Sequence, residues 1–402
     1  MNTTLFDQAS NRGKLTEYAA AEIALNLLTF QNFFVAGGKA SSRRWGNIEM
    51  LNPPNPKGGP CSGKSIVYGF LRGKSLADTI HLNLNSFEDL KLVYGESEGR
   101  LGKPIWEEQI KSPDDTVSIN NATQTHLGRL VPQTRILKLH EDRKRILLGS
   151  GFLYPKFQDE KNTFDPDVFA TVVLNNNGER MLLSAKQNNA LWRELHSLTV
   201  HRKASSGSSR GPLCLQNIPE EKAFDILVCA MATNPKQPAE IVALIESVFH
   251  IPSQLCSPEG AAAYESEVAI SEYWKIRIGL AIEEYRIGID GDWERKLDKA
   301  KQDKWALKEK LSHSATTYYW TTVEKNLSLL MTHIEAIGSD AAVPTRKAWR
   351  KMLFAAACKA YTVACGQETP RQIRAFAKGF QKLNQEKEET ESVTPEIKED
   401  EV

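Results

Sequence analysis

FDILVCAMATNPKQPAEIVALIESVFHIP, Phe224 to Pro252, is the stretch on which the fold reading turns. FDILVCAM is a short apolar run, ATNPKQP is polar with two prolines, and AEIVALIESVFHIP is apolar again. Proline lacks the N–H that a strand ladder needs, so Pro235 and Pro238 mark a reversal between two strands. The β-branched content favours this strand-loop-strand, while the spacing of AEIVALIESVF also fits a helix.

Upstream of this stretch the signals are short strands and turns. From Ser65 to about Leu215 the segments SIVYGFL, TIHLNL, RILKL, RILLGSGFL, VFATVVL and MLLSA read as strands. NNNGE, Asn175 to Glu179, is a hairpin signal between the last two. Residues 15–36, LTEYAAAEIALNLLTFQNFFVA, carry apolar side chains at helical spacing, with Gly37 and Gly38 placed to end the helix. The basic, Pro/Gly-rich residues that follow read as a long loop.

Downstream the composition changes. From Pro258 to Leu383 glycine and proline thin out, and Ala, Glu, Lys and Leu recur at three- and four-residue spacing. Helices are expected near 258–289, 293–337, with a break near Ser312, and 344–384, separated by GIDGDW and GSDAAVP. Short connections make such helices pack antiparallel as a bundle. The expected architecture is α+β: a mixed, strand-rich body over 1–257, a helical bundle over 258–384, and an acidic segment over 385–402. That segment has eight acidic residues and two lysines, a charge of −6, which leaves +7 on residues 1–384. It is poor in large apolar residues and is expected to be disordered.

Composition excludes some classes of function. The chain has 402 residues, 41% apolar and 25% charged, ordinary for a globular protein of two or three domains. No apolar run approaches the roughly 20 residues that cross a bilayer, and MNTTLFDQASNRGK lacks the apolar centre of a signal peptide, so a cytoplasmic location and no membrane partner are expected. The six cysteines form no CxxC pair and the eight histidines no HxxxH or HExxH, so neither a metal nor another cofactor is expected.

GGPCSGKS, Gly58 to Ser65, matches the Walker A pattern. A phosphate-binding loop needs a buried strand before it and a helix after it, whose N-terminal amides hold the anion. Here NIEMLNPPNPK precedes and the strand-like SIVYGFLRG follows, so the glycines read as loop glycines and a P-loop NTPase is only a runner-up. Asp290 and Asp292 in IDGDWERK resemble a calcium loop, but Lys301 stands where a bidentate Glu is required, and helix N-capping explains them better. The carboxylates of FDPDVF and SPDDT sit in turn sequences, where Asp bonds nearby backbone. Trp192 reads as a core or interface anchor, and Trp274, Trp305, Trp320 and Trp349 as bundle core.

Several segments, in order, resemble CasA, the large-subunit family of the type I-E CRISPR Cascade complex. They are LFDQASNRGKLTEYAAAEIALNLLTFQNFFVAGGKASS, then GPCSGKSIVYGFLRGKSLADTIHLNLN, where relatives have a strand, an arginine-glycine turn and a "leucine-asparagine-leucine" helix. PIWEE, NNALWRELHSLTV, the hairpin at ATNPKQP and the helical bundle follow. Relatives usually carry a long N-terminal region before the point where this chain begins, which leaves open any contact made by that region. Some relatives have a cysteine cluster where this chain reads HEDRKR, so zinc is not implied.

The resemblance implies a non-catalytic subunit that reads the protospacer-adjacent motif of double-stranded target DNA through the minor groove, starts strand separation and helps recruit a helicase-nuclease. Other Cascade subunits and the guide RNA are its implied partners, and the guide reads the target itself. Gly37 and Gly38 match the family's glycine loop beside the motif, with Lys39 adjacent; alone they read as a helix C-cap. Gln237 matches a wedge glutamine at a hairpin tip, flanked by Asn234 and Lys236; alone NPKQP is a surface turn. Lys144 is the best match to a lysine that enters the minor groove, with Arg143 and Arg145 as competitors; alone the run is a solvated turn. Arg43, Arg44, Arg202, Lys203 and Arg210 lie in basic segments suited to phosphate contact, which adds affinity without sequence. The second runner-up is an adaptor that binds protein only.

Overall fold

In the computed structural model Phe224 to Ile251 is two antiparallel strands. The described residues are 19–33, 44–45, 48–49, 66–94, 101–152 except 113, 132, 134 and 140–145, 167–234 except 175–176, 179, 186–189, 200–208 and 220, and 237–290 and 302–385. The chain forms two compact units, residues 1–258 and 259–402.

The first unit begins with α1 (Ala20–Phe33), followed by β1 (Arg44–Trp45) and β2 (Ile48–Glu49), which pair antiparallel. β3 (Val67–Arg72) leads into α2 (Leu76–Leu82), so TIHLNL is mostly helix and not strand. The reason is local: Ser75 Oγ accepts from the Asp78 amide and caps the helix start, which outweighs the β-branched residues. Asn83 then ties the helix end back to the strand, accepting from the Leu71 amide at 2.9 Å and donating to the Leu71 carbonyl at 2.7 Å.

α3 (Phe87–Tyr94) follows, then α4 (Thr116–Gln124), capped by the Asp115 carboxylate, and α5 (His126–Arg129), capped by Thr125. β4 (Arg135–Leu139) and β5 (Ile146–Ser150) form one antiparallel pair, and β6 (Val172–Leu174) and β7 (Arg180–Leu182) another. The second pair turns at the expected NNNGE, where Gly178 has φ +76°, a backbone that glycine adopts without strain. α6 (Leu195–Thr199) precedes the long hairpin of β8 (Phe224–Asn234) and β9 (Gln237–Ile251).

β3, β8 and β9 form a three-stranded antiparallel sheet in that order. Phe224, Ile226, Val228 and Ala230 are buried at every second position of β8, the period that a one-faced strand requires. Along β9, Leu244, Glu246, Val248 and His250 are exposed at the same period, which decides AEIVALIESVF as strand. Trp192, 2% exposed, anchors the unit's core, as its sequence setting suggests.

The second unit is helical: α7 (Pro258–Asp290), α8 (Gln302–Lys325), α9 (Leu327–Glu335), α10 (Ala342–Ala364) and α11 (Pro370–Asn384). Three expectations are corrected. The middle segment breaks at Asn326 and not near Ser312. The 344–384 segment is two helices, because Thr369 and Gln372 form a capping box with Pro370 at the first helical position. Asp290 closes α7 and does not open a helix. Trp349 is fully buried, as are Tyr264, Tyr319 and Tyr361, whereas Trp274 and Trp320 are half-buried. The side chain of Trp305 lies outside the described residues. α7 and α11 approach closely: a Cβ added at Gly288 would lie 2.7 Å from Ala375 Cβ, and one at Gly379 would overlap Tyr361 Oη and the Ala281 carbonyl. No described helix is long and apolar enough to cross a membrane.

Candidate nucleic-acid interface

Among the described residues the β8–β9 hairpin is the longest β feature of the first unit, and its register changes toward the tip. β3 accompanies β8 only as far as Ala230, which faces Val67. Beyond it the ladder runs regularly to Ala232 opposite Ala243, then slips, so that Thr233 faces Ile241 and Asn234 faces Gln237. Bulges of this kind bend a strand and increase its twist, which re-aims whatever the tip carries. Asn234 and Gln237 thus face each other as the last pair of the ladder, with Pro235 and Lys236 between them. Pro235, Lys236 and the side chain of Gln237 lie outside the described residues.

The elements that flank the other expected contacts lie elsewhere in the unit. α1 leads toward Gly37 and Gly38, and its Gln31 donates from Nε2 to Gln133 Oε1 at 3.4 Å, just before β4. β1, which contains Arg44, lies beside β5. β5 is joined to β4 by residues 140–145, which hold Arg143, Lys144 and Arg145, and Leu139 pairs with Ile146 across that connection. Helix α1 thus meets the segment just before β4 and β1 lies beside β5, whereas Leu139 and Ile146, which end the β4–β5 connection, are at the other end of the ladder from Gln133. Gly37, Gly38, Lys39, Arg43, Arg143, Lys144, Arg145, Arg202 and Lys203 themselves lie outside the described residues.

Arg210 is corrected. It is 5% exposed, and its guanidinium donates to the carbonyls of Ala170 at 3.1 Å, Gly211 at 3.2 Å and Asp167 at 3.2 Å. Its backbone also exchanges both hydrogen bonds with Val172. Five donors in a planar fork suit the stitching of several carbonyls, and an arginine committed in this way is not available to phosphate.

The remaining chemistry-bearing groups read as structural. Asp115 holds the α4 amides, and backbone hydrogen bonds, the Lys111 amide foremost, keep its carboxyl below the usual range. Asp167 accepts from the Phe169 amide, the turn geometry expected of FDPDVF. Burial pushes the thiols of Cys214, Cys256 and Cys365 up to about 12, and a protonated thiol is a poor nucleophile. Among the described residues no cluster of His, Cys, Asp and Glu is arranged to hold a metal. The element that follows GGPCSGKS is β3, a strand antiparallel to β8, where a phosphate-binding loop requires a helix.

The sequence reading missed the buried charges of the second unit, Glu267 and Arg277 among them. Glu267, 1% exposed, accepts from Arg346 Nε at 2.9 Å and from Arg350 Nη2 at 2.7 Å and Nε at 3.1 Å. Arg277, 7% exposed, donates to the carbonyls of Lys382, Leu383 and Gln385 at the end of α11. The only hint was helical phase: Glu267 and Arg277 share an apolar face with Tyr264, Ser271, Ile278 and Ala281.

The model of the family described as CRISPR-associated protein Cse1 matches residues 1–360. Solved structures share the fold. The CasA of Thermus thermophilus matches with TM-score 0.65 at 17% identity, over 95% of this chain and 74% of that one. Cse1 of Acidimicrobium ferrooxidans matches with TM-score 0.60 at 16% identity, over 92% and 73%. A chain of a structure titled "CRISPR RNA-guided surveillance complex" matches with TM-score 0.56 at 14% identity, over 92% and 69%. No curated protein matches the sequence.

Proposed function

The chain belongs to the CRISPR-associated Cse1 family, and from this premise we propose that it is the CasA-type large subunit of a type I-E Cascade surveillance complex. In that role it holds double-stranded target DNA at the protospacer-adjacent motif, starts strand separation and helps recruit a helicase-nuclease, without catalysis of its own. Its partners are the other Cascade subunits and the guide RNA, and it works in the cytoplasm. The observation that carries the reading is the β8–β9 hairpin, whose register slips so that Asn234 and Gln237 end the ladder at one tip. A polar turn sequence that includes Pro235 and Pro238, whose rings fix φ, is suited to displace a base pair at a cost of a few kcal/mol.

The second support is the sequence itself, which supplies Gly37, Gly38, Lys39, Arg43, Arg44, Arg143, Lys144 and Arg145 in glycine-containing and basic segments, with Arg44 on β1 beside β5. Glycine lets backbone approach base edges, Lys144 is the candidate for the minor groove, and the arginines, with Arg202 and Lys203, supply phosphate attraction. Arg210 has no part in it. The P-loop reading is disfavoured by β3, which takes the place of the required helix.

The test is duplex binding by a guide-loaded complex that contains this chain. Gln237→Ala should weaken opening of the target duplex while leaving assembly intact, and Gly38→Asp should abolish motif preference. Unaltered opening and preference in both variants would remove the DNA-reading role and leave the protein-only adaptor.

A further inference from the structure

The last two helices carry charge of one sign. α10 has five Lys or Arg and α11 has four, and neither contains Asp or Glu. On α11, Arg371, Arg374, Lys378 and Lys382 recur at three- and four-residue intervals, which aligns them as a stripe along one face. The adjoining face, Ala375, Gly379 and Leu383, is buried. Arg371, Arg374 and Lys378 are exposed and Lys382 partly so. Among the described residues Arg371, Arg374 and Lys382 make no ion pair. Like charges three and four residues apart destabilise a helix unless an anion covers them.

The chain leaves this helix at a defined point. The buried Arg277 guanidinium binds the carbonyls of Lys382, Leu383 and Gln385, so the backbone as far as Gln385 is held at the Lys382 end of the stripe. The residues that follow, 386–402, contain eight carboxylates and two lysines. Seventeen extended residues reach about 55 Å, while the stripe, eleven helical steps from Arg371 to Lys382, is about 16 Å long. Reach is ample, and a tether this short holds the segment at an effective concentration on the order of millimolar.

We propose that residues 386–402 fold back along α11 and dock their carboxylates on the Arg371–Lys382 stripe. The chain thereby carries its own anionic cover, and any external polyanion must displace it to reach this face. Nonspecific attraction is suppressed, while a partner with more phosphates or a better fit still wins.

Zero-length carbodiimide cross-linking of the full-length chain, mapped by mass spectrometry, tests this. The informative carboxylates are Glu396, Glu399, Asp400 and Glu401, because residues nearer Lys382 meet it by connectivity alone. At low salt they should link to Lys378 and Lys382 within one chain, at a yield independent of protein concentration. The yield should fall at about 1 M salt, where the screening length is near 3 Å. It should also fall about threefold or more in Arg371→Gln/Arg374→Gln, which keeps both lysines as acceptors but removes half the stripe's charge. Equal linkage to exposed lysines elsewhere, such as Lys74 and Lys222, would overturn the proposal, as would a yield indifferent to both salt and the double substitution. Both arginines are exposed, so the variant should fold; if it does not, the salt response decides alone.

Discussion

Arg350→Ala should destabilise the helical unit far more than its position suggests. The side chain is 38% exposed, and a typical surface substitution changes stability by about 0.5 kcal/mol or less. Yet its guanidinium grips both oxygens of Glu267, which is 1% exposed and has only Arg346 as its other ion-pair partner among the described residues. Removing Arg350 leaves a buried carboxylate with roughly half its compensation. Breaking a fully buried pair costs about 3–5 kcal/mol, and since Arg346 remains and Arg350 is itself part-exposed, about 2–3 kcal/mol is expected here. For a unit of this size that lowers Tm by roughly 4 °C per kcal/mol, or about 10 °C. Glu267→Gln should cost less, because the freed guanidiniums turn to water, and the double variant should lose clearly less than the sum of the two. The assay is thermal unfolding of wild type, both single variants and the double variant, followed by circular dichroism. Additivity within about 0.5 kcal/mol, or an Arg350→Ala cost below about 1 kcal/mol, would show that Arg350 does not compensate the buried Glu267 carboxylate, since sites that do not interact add.

Gly379→Ala should destabilise by about 1–3 kcal/mol, since the new methyl overlaps Tyr361 Oη and the Ala281 carbonyl; unchanged thermal unfolding would show that the α7–α11 contact gives way freely. Arg277→Ala should cost about 1.5–3 kcal/mol and speed amide exchange over the last turn of α11, where three carbonyls lose a charged donor. Burial holds the His333 imidazole below its usual 6.5, against the pull of Glu267 and with Arg346 opposing protonation. The unfolded chain therefore binds the proton first, and stability present above about pH 6.5 is lost as pH falls toward the folded value. Unfolding measured from about pH 7.5 to about 5.5 should show this limb, and His333→Gln should flatten it.

The fold was legible where periodicity and punctuation agreed. The β-branched content of 224–251, the paired prolines and the NNNGE turn pointed to strands that the structure contains. TIHLNL misled because its β-branched residues say strand, while the deciding interactions are a Ser75 cap and an Asn83 that returns to β3. The same holds for GQETPRQ: Thr369, Pro370 and Gln372 together start a new helix within a stretch whose overall composition reads as one continuous helical segment. Arg210 was misplaced because a basic, Ser/Gly-rich loop looks solvated, and only the tertiary fold brings the carbonyls of Asp167 and Ala170 to its guanidinium. Glu267 and its two arginines are separated by about eighty residues of sequence, so no local pattern joins them.

In the role proposed above, this chain selects target DNA by the bases beside the protospacer. The most direct measurement is binding of guide-loaded Cascade, assembled with and without the chain, to targets whose flanking bases are randomised, followed by sequencing of the bound fraction. Enrichment of particular flanking bases only when the chain is present, reduced by Gln237→Ala, is the predicted result. Incorporation without enrichment, or failure of the chain to enter the complex, would contradict it.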